Sequence, residues 1–578
     1  MINQDVADII DEMADMEEIE GNRWESLAYR KAASSIRSLS VDLEQMYREN
    51  RLREIDGVGP AIEKKIIQYI TSGSIEKYLE MKRKYPLDFK NLRRIQGLGP
   101  KKIYALYRSI GVKNIEDLRS AVNDHRIAGI PGFGKKSEEN LASELKKLET
   151  MSAERIPLGR IFDYANNIRE KLLITGKFRK VELVGSFRRM RETIGDLDIL
   201  AVSDDPAGGY ETFLGLKEIN GIIARGESKT SVSLDSGLNC DFRIFSEESF
   251  GAAMQYFTGS KQHNIRLRDL AISQGLKLNE YGLFRGDTLI AGKTEEDVYG
   301  KLGLQWIPPE LRENTGEIEL AMAGRLPTLV GYDISSDMHI NVPPGATAES
   351  ISRILSHTGK PVDWYGAILL SAEQAHTLNH PGRISDGDME NFLDTVKSIG
   401  ASQRERILVG VELDVQQLAE NSLDRDLVAK FDYIVASSAG LSQDDINLNT
   451  DSYLAVIKSG IVHAIAHPTG RIIGKISPAP LDYSRLFRAC KEHDVWLEIN
   501  GLPERSDLPA DIVRRGRESG VNFVLGSGAT SAMELGFLRF AVSIARRGWL
   551  SAENVINSRR FDTLKAELSR RQTLKSVK

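Results

Sequence analysis

The sequence predicts a multidomain chain of mixed class, α+β followed by α/β. Three observations carry that prediction. Three glycine turns, each leading into a helical stretch, lie in the first quarter of the chain. A strand over 196–202 bears two aspartates one residue apart, and from about residue 333 short apolar segments alternate with helical ones. At 578 residues the chain is too long for one core, so three to five folding units are expected.

Composition narrows the class. Hydrophobic residues make up 41% and charged residues 28%, and no apolar run approaches the roughly 18 residues of a membrane span. The N-terminus, MINQDVADIIDEMADMEEIE, is acidic and unlike a signal peptide. Only Cys240 and Cys490 occur, which argues against a disulfide framework, leaves no thiolate zinc site and points to the cytoplasm. The net charge of -5 is unevenly spread: residues 21–150 hold 26 Lys and Arg against 17 Asp and Glu, whereas the first twenty carry 8 acids and no base. A basic block in an acidic chain suggests a surface for a polyanion, or else a solvated helical face.

The first quarter holds near-repeats: IDGVGPAIEKKI (55–66), IQGLGPKKIYAL (95–106) and IPGFGKKSEENL (130–141). Each reads hydrophobe, x, Gly, hydrophobe, Gly and then a helix. Such a turn presents backbone N–H groups at a helix start, where the helix dipole favours an anion. Nucleic-acid phosphates fit that need without any reading of base sequence. One such turn could simply connect two helices; three, two of them with lysines just after the turn, point to DNA contact through Gly57, Gly59, Gly97, Gly99, Lys101, Lys102, Gly132 and Gly134. Phe133, Glu138 and Glu139 make the third the weakest.

The segment VGSFRRMRETIGDLDIL (184–200) poses a chemical question. Asp196 and Asp198 share one face of a strand, roughly 7 Å apart at their bases, and repel each other unless a cation intervenes. Before them stands Gly185-Ser186 at a helix start, with Arg188, Arg189 and Arg191 close by. This is a plausible polyphosphate cradle. LNCDFRIF (238–245) offers a third carboxylate, Asp241. Hard oxygen ligands favour Mg²⁺ or Mn²⁺, and two such ions suit nucleotidyl transfer. A solvated Asp-x-Asp on an edge strand is the structural alternative.

This segment resembles the palm of the family X DNA polymerases, the DNA polymerase beta-like group, and the likeness continues through QYFTGSKQHNIRLR (255–268) and LNEYGLF (278–284). The glycine turns likewise look like helix-hairpin-helix motifs. The resemblance implies that Asp196, Asp198 and Asp241 are catalytic and bind metal. It also implies that Ser186, Arg189 and Gly195 hold the triphosphate, that Tyr256, Phe257 and Gly259 line the sugar and base, and that Asn264 and Arg268 face the nascent pair and template. By position Lys65 matches the Schiff-base lysine of 5′-deoxyribose-phosphate lyases in the family, and Tyr29 matches as well. Trp24, Glu25 and Ala61, however, stand where phosphate-binding basic residues are expected. Lys65 as nucleophile and Lys65 as phosphate contact both remain open.

From about 333 the segments YGAILL, ILVGVELDV, FDYIVAS, VHAIAHP, VWLEIN and VNFVLGS read as strands of an α/β barrel-like domain. Together with DMHIN, AHPTGR and VLGSGATS they resemble the PHP domain of bacterial and archaeal family X polymerases, a distorted TIM-like barrel whose three metals hydrolyse phosphoesters. His339, Glu412 and His467 match that domain's ligands. The other ligand positions hold Asn341, Leu370, Ser371, Ala439, Gly528 and Thr530. Three ions then lack ligands, so the PHP metals and the 3′–5′ exonuclease are expected to be absent.

The domains expected are 1–85 and 86–150 (helical, DNA-binding), 151–245 (palm), 246–318 (thumb), 319–332 (linker) and 333–570 (PHP). The function expected is a template-directed DNA polymerase that uses Mg²⁺ or Mn²⁺ and dNTPs to fill short gaps in DNA repair, acting as a monomer in the cytoplasm. A template-independent or RNA-directed nucleotidyltransferase is one alternative, and a non-catalytic DNA-binding scaffold is the other.

Overall fold

The structure, a computed structural model, describes residues 3–576 apart from 38, 40–42, 73, 94, 96, 154, 227, 335, 357–363, 373–382, 421–422 and 438–439. Contacts divide the chain into two units. The first is Met1–Arg155 with Ile265–Leu267 and Glu313–Gly324; the second is Ile156–Asn264, Arg268–Arg312 and Arg325–Lys578. No helix among the described residues is long and apolar enough to cross a membrane.

The first unit is helical. Val6, Ile10 and Met13 recur at helical spacing on Asn3–Glu20, and they pack with Ala32, Ala33 and Ile36 of Arg23–Arg37. Acids of the first helix, among them Glu17 and Glu20 on the same stripe as Val6, Ile10 and Met13, fold against basic residues of the block that follows. Asp15 pairs with Arg30 and Arg93 at 2.9 Å each, Glu17 with Lys77 at 2.7 Å, Glu20 with Lys84 at 2.7 Å, and Glu12 with Lys82. The acids are thus folded onto the bases, and the surplus left to face a polyanion is smaller than the block's composition suggests.

In the second unit, five strands form the mixed sheet in the order Lys180–Leu183, Asp196–Val202, Asn239–Phe245, Thr230–Leu234, Ile219–Arg225. The two strands that carry the aspartates are parallel neighbours, and every other pairing in the sheet is antiparallel. Leu197, Ile199 and Ala201 pack with Phe213 and Phe242 beneath the sheet. Helices Phe250–Thr258 and Lys261–Ser273 follow, then a small antiparallel sheet over residues 277–291 and the helix Glu295–Lys301.

A buried charge triad joins this region to the palm. Glu295 receives two bonds from Arg188, each 2.8 Å, and one of 2.6 Å from the fully buried Arg312. Burial pushes the Glu295 carboxyl up, but the two guanidiniums outweigh it and hold the group far below the ordinary carboxylate range. The segment around Arg312 is packed: Ile307, Glu310 and Leu311 are also buried.

The barrel forms as expected, with seven parallel strands in chain order: Ser336–Val342, Tyr365–Leu370, Ile407–Asp414, Tyr433–Ser437, Ala464–Ile465, Trp496–Asn500 and Phe523–Gly526. Ala529 bridges back to Ile340, so that the last strand's continuation nearly closes the ring. One strand more is present than the six apolar segments indicated, because Asp337, His339 and Asn341 interrupt the hydrophobic run of the first.

The triad gives a signed pH prediction. The Glu295 value in the folded chain lies below its ordinary 4.5, so its contribution is complete above that pH and is lost on acidification. Glu295→Gln should lower the melting temperature equally at pH 8 and pH 6, by several degrees. The gap to the parent should close as pH falls below about 4. A gap that widens on acidification would contradict the charge pairing.

Candidate functional site

The palm aspartates occupy adjacent strand ends. Asp198 lies beside Asp241 in the parallel register and Asp196 beside Asn239. The guanidinium of Arg243 reaches Asp198 Oδ1 at 3.4 Å and Asp241 Oδ2 at 3.1 Å, while Lys229 and Ser231 donate to Asp241 at 2.9 and 2.5 Å. Asp196 is exposed. The three carboxylates share one region but do not converge on a point: among the described residues no group of three His, Cys, Asp or Glu stands in a geometry that could hold an ion. Burial, then the charge of Asp196, pushes the Asp198 carboxyl up to about 6 despite Arg243. Burial also raises Asp241, but the bonds from Ser231 and Lys229 and the charge of Arg243 bring it below the ordinary range. Three acids against two bases leave the site under-neutralised. The donor chemistry, all carboxylate oxygen, is of the kind that suits Mg²⁺ or Mn²⁺, although Asp196, Asp198 and Asp241 are not gathered round one point in this structure.

The phosphate cradle stands next to them. Gly185 opens the short helix Gly185–Arg188 at φ +64, and a Cβ there would fall 2.7 Å from Asp198 Oδ2, so only glycine lets the turn lie against the aspartate. Among the described residues the buried Ser186 hydroxyl has no hydrogen-bond partner, an orphan that a phosphate oxygen would satisfy. Arg189 donates to the carbonyl of Thr258 at 2.5 Å, beside Gly259. Gly195 directly precedes the aspartate strand.

Tyr256 and Phe257 lie edge to face at 5.0 Å, and Arg243 stacks on the Phe257 ring at 4.5 Å. This links the aromatic wall to the aspartates. Asn264 accepts from Gln255 at 2.7 Å and donates to the Tyr256 carbonyl at 2.6 Å, so its amide braces the Tyr-Phe turn. Arg268 is exposed on the following helix.

In the barrel, His339, Glu412 and His467 meet as the sequence indicated, and a fourth residue that the sequence reading missed joins them. Glu498 pairs with His339 Nδ1 at 2.8 Å and accepts the His467 backbone N–H at 2.7 Å. Glu412 reaches His467 Nε2 at 3.1 Å and His339 Nε2 at 3.6 Å. Ser371 and Asn341 join the network: Ser371 donates to Glu412 at 2.6 Å, and Asn341 bridges His339 Nε2 and the Gly528 carbonyl at 3.1 Å each. Leu370 is buried in the core, Thr530 is tied to Glu534, and Ala439 lies outside the described residues.

Burial lowers both imidazoles, but Glu498 and Glu412 overcome it and hold His339 at about 10 and His467 at about 9; both glutamates fall below the ordinary range. Within these four residues two imidazoliums thus face two carboxylates. Among the described residues of this barrel no group of three His, Asp or Glu stands in a geometry that fits a metal site. Asp337 and Asp507, also unlisted among the sequence candidates, are buried at its edge: Asp337 bonds the Ser527 N–H and Asp507 bonds Thr469.

In the helical unit the first glycine of each turn, Gly57, Gly97 and Gly132, has φ between +83 and +89, and Gly59, Gly99 and Gly134 precede the helices. Lys101 and Lys102 lie in the first turn of Pro100–Ile110. The third turn is committed to packing, as its sequence suggested: Phe133 is buried, and Glu138 accepts the N–H groups of Ile127 and Ala128 at 2.7 and 2.8 Å. Lys65 stands 5.5 Å over the buried ring of Tyr29 and donates to the Ala61 carbonyl at 3.1 Å.

Comparison with known proteins agrees with this layout. Family models match a helix-hairpin-helix domain over residues 1–75, a SAM-like helix-hairpin-helix tandem over 89–147 and the DNA polymerase beta thumb over 253–313. The chain is 31% identical over 582 residues to the DNA polymerase/3′-5′ exonuclease PolX of Bacillus subtilis (strain 168), covering 99% of this chain and all of that one. It is 24% identical to DNA polymerase lambda of Arabidopsis thaliana and of Rattus norvegicus. Those matches cover 54% of this chain and 62% and 56% of theirs.

If the barrel cluster is a closed ion-pair network, removing one charge leaves its partners buried and unbalanced. Glu498→Gln should destabilise the protein by about 3–5 kcal/mol, read as a lowered thermal or urea midpoint. An unchanged midpoint would contradict the pairing.

Proposed function

The chain belongs to the family X DNA polymerases, and on that premise we propose that Asp196, Asp198 and Asp241 are the catalytic residues of a template-directed DNA polymerase that fills short gaps during DNA repair. The observation that carries the assignment is the under-neutralised group of aspartates beside an orphaned Ser186 hydroxyl at a helix start. Divalent ions, when bound, would activate the primer 3′-hydroxyl and steady the leaving pyrophosphate. Ser186 and Arg189 would bind the triphosphate of a dNTP, with Gly195 letting the chain approach it closely. Tyr256, Phe257 and Gly259 would form the wall against sugar and base, held in shape by Asn264, while Arg268 extends toward the template strand. Asp241, beside Asp198 on the parallel strand, would receive the primer hydroxyl's proton once its bonds to Lys229 and Ser231 yield, and its neighbourhood with Asp198 supports that reading.

The glycine turns at 57–59 and 97–99 would hold the DNA backbone through their N–H groups, with Lys101 and Lys102 adding charge, and Gly132 and Gly134 serving mainly to pack. Lys65 over Tyr29 serves a 5′-phosphate end as a cationic contact. The barrel acts without metals and without 3′–5′ exonuclease activity. The support for this is the neutral four-residue network in which Ser371 and Asn341 occupy former ligand positions.

Asp198→Ala should abolish nucleotide addition to a primer on a one-nucleotide gapped duplex while leaving gapped-DNA binding nearly intact. The parent should extend that primer far better than a single strand. Synthesis retained in Asp198→Ala would sink the aspartate assignment, and equal extension of the single strand would favour a template-independent transferase.

A further inference from the structure

The loops at the C-terminal ends of the barrel strands, where a site in such a barrel opens, are engaged with the palm. Arg471, beyond the strand Ala464–Ile465, reaches Glu192 at 3.2 Å, and Arg547 approaches the same carboxylate at 3.8 Å. Glu504, beyond Trp496–Asn500, accepts from Arg160 at 2.7 Å. A Cβ on Gly159 would stand 2.3 Å from Pro503, so the palm backbone lies directly on that loop. Phe540, on the helix Leu538–Arg547, meets the Phe162 ring edge to face at 5.5 Å, and Arg539 lies over that ring at 5.1 Å.

These contacts lead to the phosphate cradle from both ends. Phe162 stacks on Phe187 at 5.4 Å with the rings 15° apart, and Phe187 belongs to the helix Gly185–Arg188 that carries Ser186. At the other end Glu192 precedes the strand pair Thr193–Ile194 with Ile156–Pro157, and its carbonyl accepts from Leu158 at 2.9 Å. Arg471 and Arg547 outweigh burial and keep the Glu192 carboxyl below the ordinary range, so the anchor is charged. Segment 185–195 is thus fixed by Phe540 through Phe162 and Phe187 on one side, and by Arg471 and Arg547 through Glu192 on the other.

We infer that the C-terminal barrel is a positioning element for polymerisation, its former catalytic mouth now bracing the dNTP-phosphate loop 185–195, with Phe540 and Glu192 as positioning residues. The inference rests on the nucleotide-binding role proposed for that loop. Holding Ser186 and Arg189 in place before the nucleotide arrives lowers the ordering cost of binding, and a displacement near 1 Å at such a site can cost up to about a hundredfold.

Steady-state single-gap filling by the full chain tests it, with the melting temperature followed in parallel. Phe540→Ala should raise the KM for dNTP about tenfold with little change in kcat. Phe540→Leu should recover most of the affinity, and Glu192→Gln, which removes only the anchor's charge, should raise KM in the same direction. Should Phe540→Ala fail to fold, Glu192→Gln decides alone. A lowered melting temperature with unchanged KM in these variants, while Arg189→Ala raises KM, would make the barrel contact merely structural and overturn the inference. An unchanged KM in Arg189→Ala would instead overturn the nucleotide-site reading, and the inference with it.

Discussion

Every buried carboxylate in this chain must be balanced, and the two clusters of acidic residues in the second unit satisfy that constraint in opposite ways. In the palm, Asp198 and Asp241 are met by Arg243, and Asp241 also by Lys229 and Ser231, while burial pushes Asp198 up. In the barrel, Glu412 and Glu498 meet two imidazoliums within hydrogen-bonding distance. Among the described side chains the palm acids outnumber their basic partners, whereas Glu412 and Glu498 are matched by His339 and His467.

The charged pairs also set the unit's architecture. Glu295 gathers Arg188 and Arg312, tying the region after the palm to the residue next to Arg189. Glu192 gathers Arg471 and Arg547, tying the barrel to the far end of the same loop. Aromatic contacts from Phe540 to Phe187 run between them. The loop that would grip a nucleotide is accordingly one of the most cross-braced segments in the second unit, although it contains few apolar residues of its own.

Much of this was legible in the chain because local signals agreed. The aspartate strand has the bounds that its alternation indicated, Asp196–Val202, since apolar residues and a preceding glycine define it without distant help. The glycine turns were readable for the same reason: a left-handed residue before a helix start is a local demand. What depended on distant partners was not readable. The strand Ser336–Val342 carries polar residues on its inner positions, and they make sense only once Glu498 and Gly528 arrive from the far end of the chain. Glu498 itself sits in LEIN, a run that looks like any buried strand. Nothing local in the first helix showed that Arg30, Lys77 and Arg93 would fold against its acids.

The most direct test of the contrast between the two clusters is to count bound Mn²⁺ by electron paramagnetic resonance, in the presence of gapped DNA and dNTP. The parent, Asp198→Ala and His339→Ala chains would be compared. The account predicts that Asp198→Ala loses the tightly bound ions and that His339→Ala keeps them all. Ions retained by Asp198→Ala and released by His339→Ala would place the metal in the barrel and contradict it.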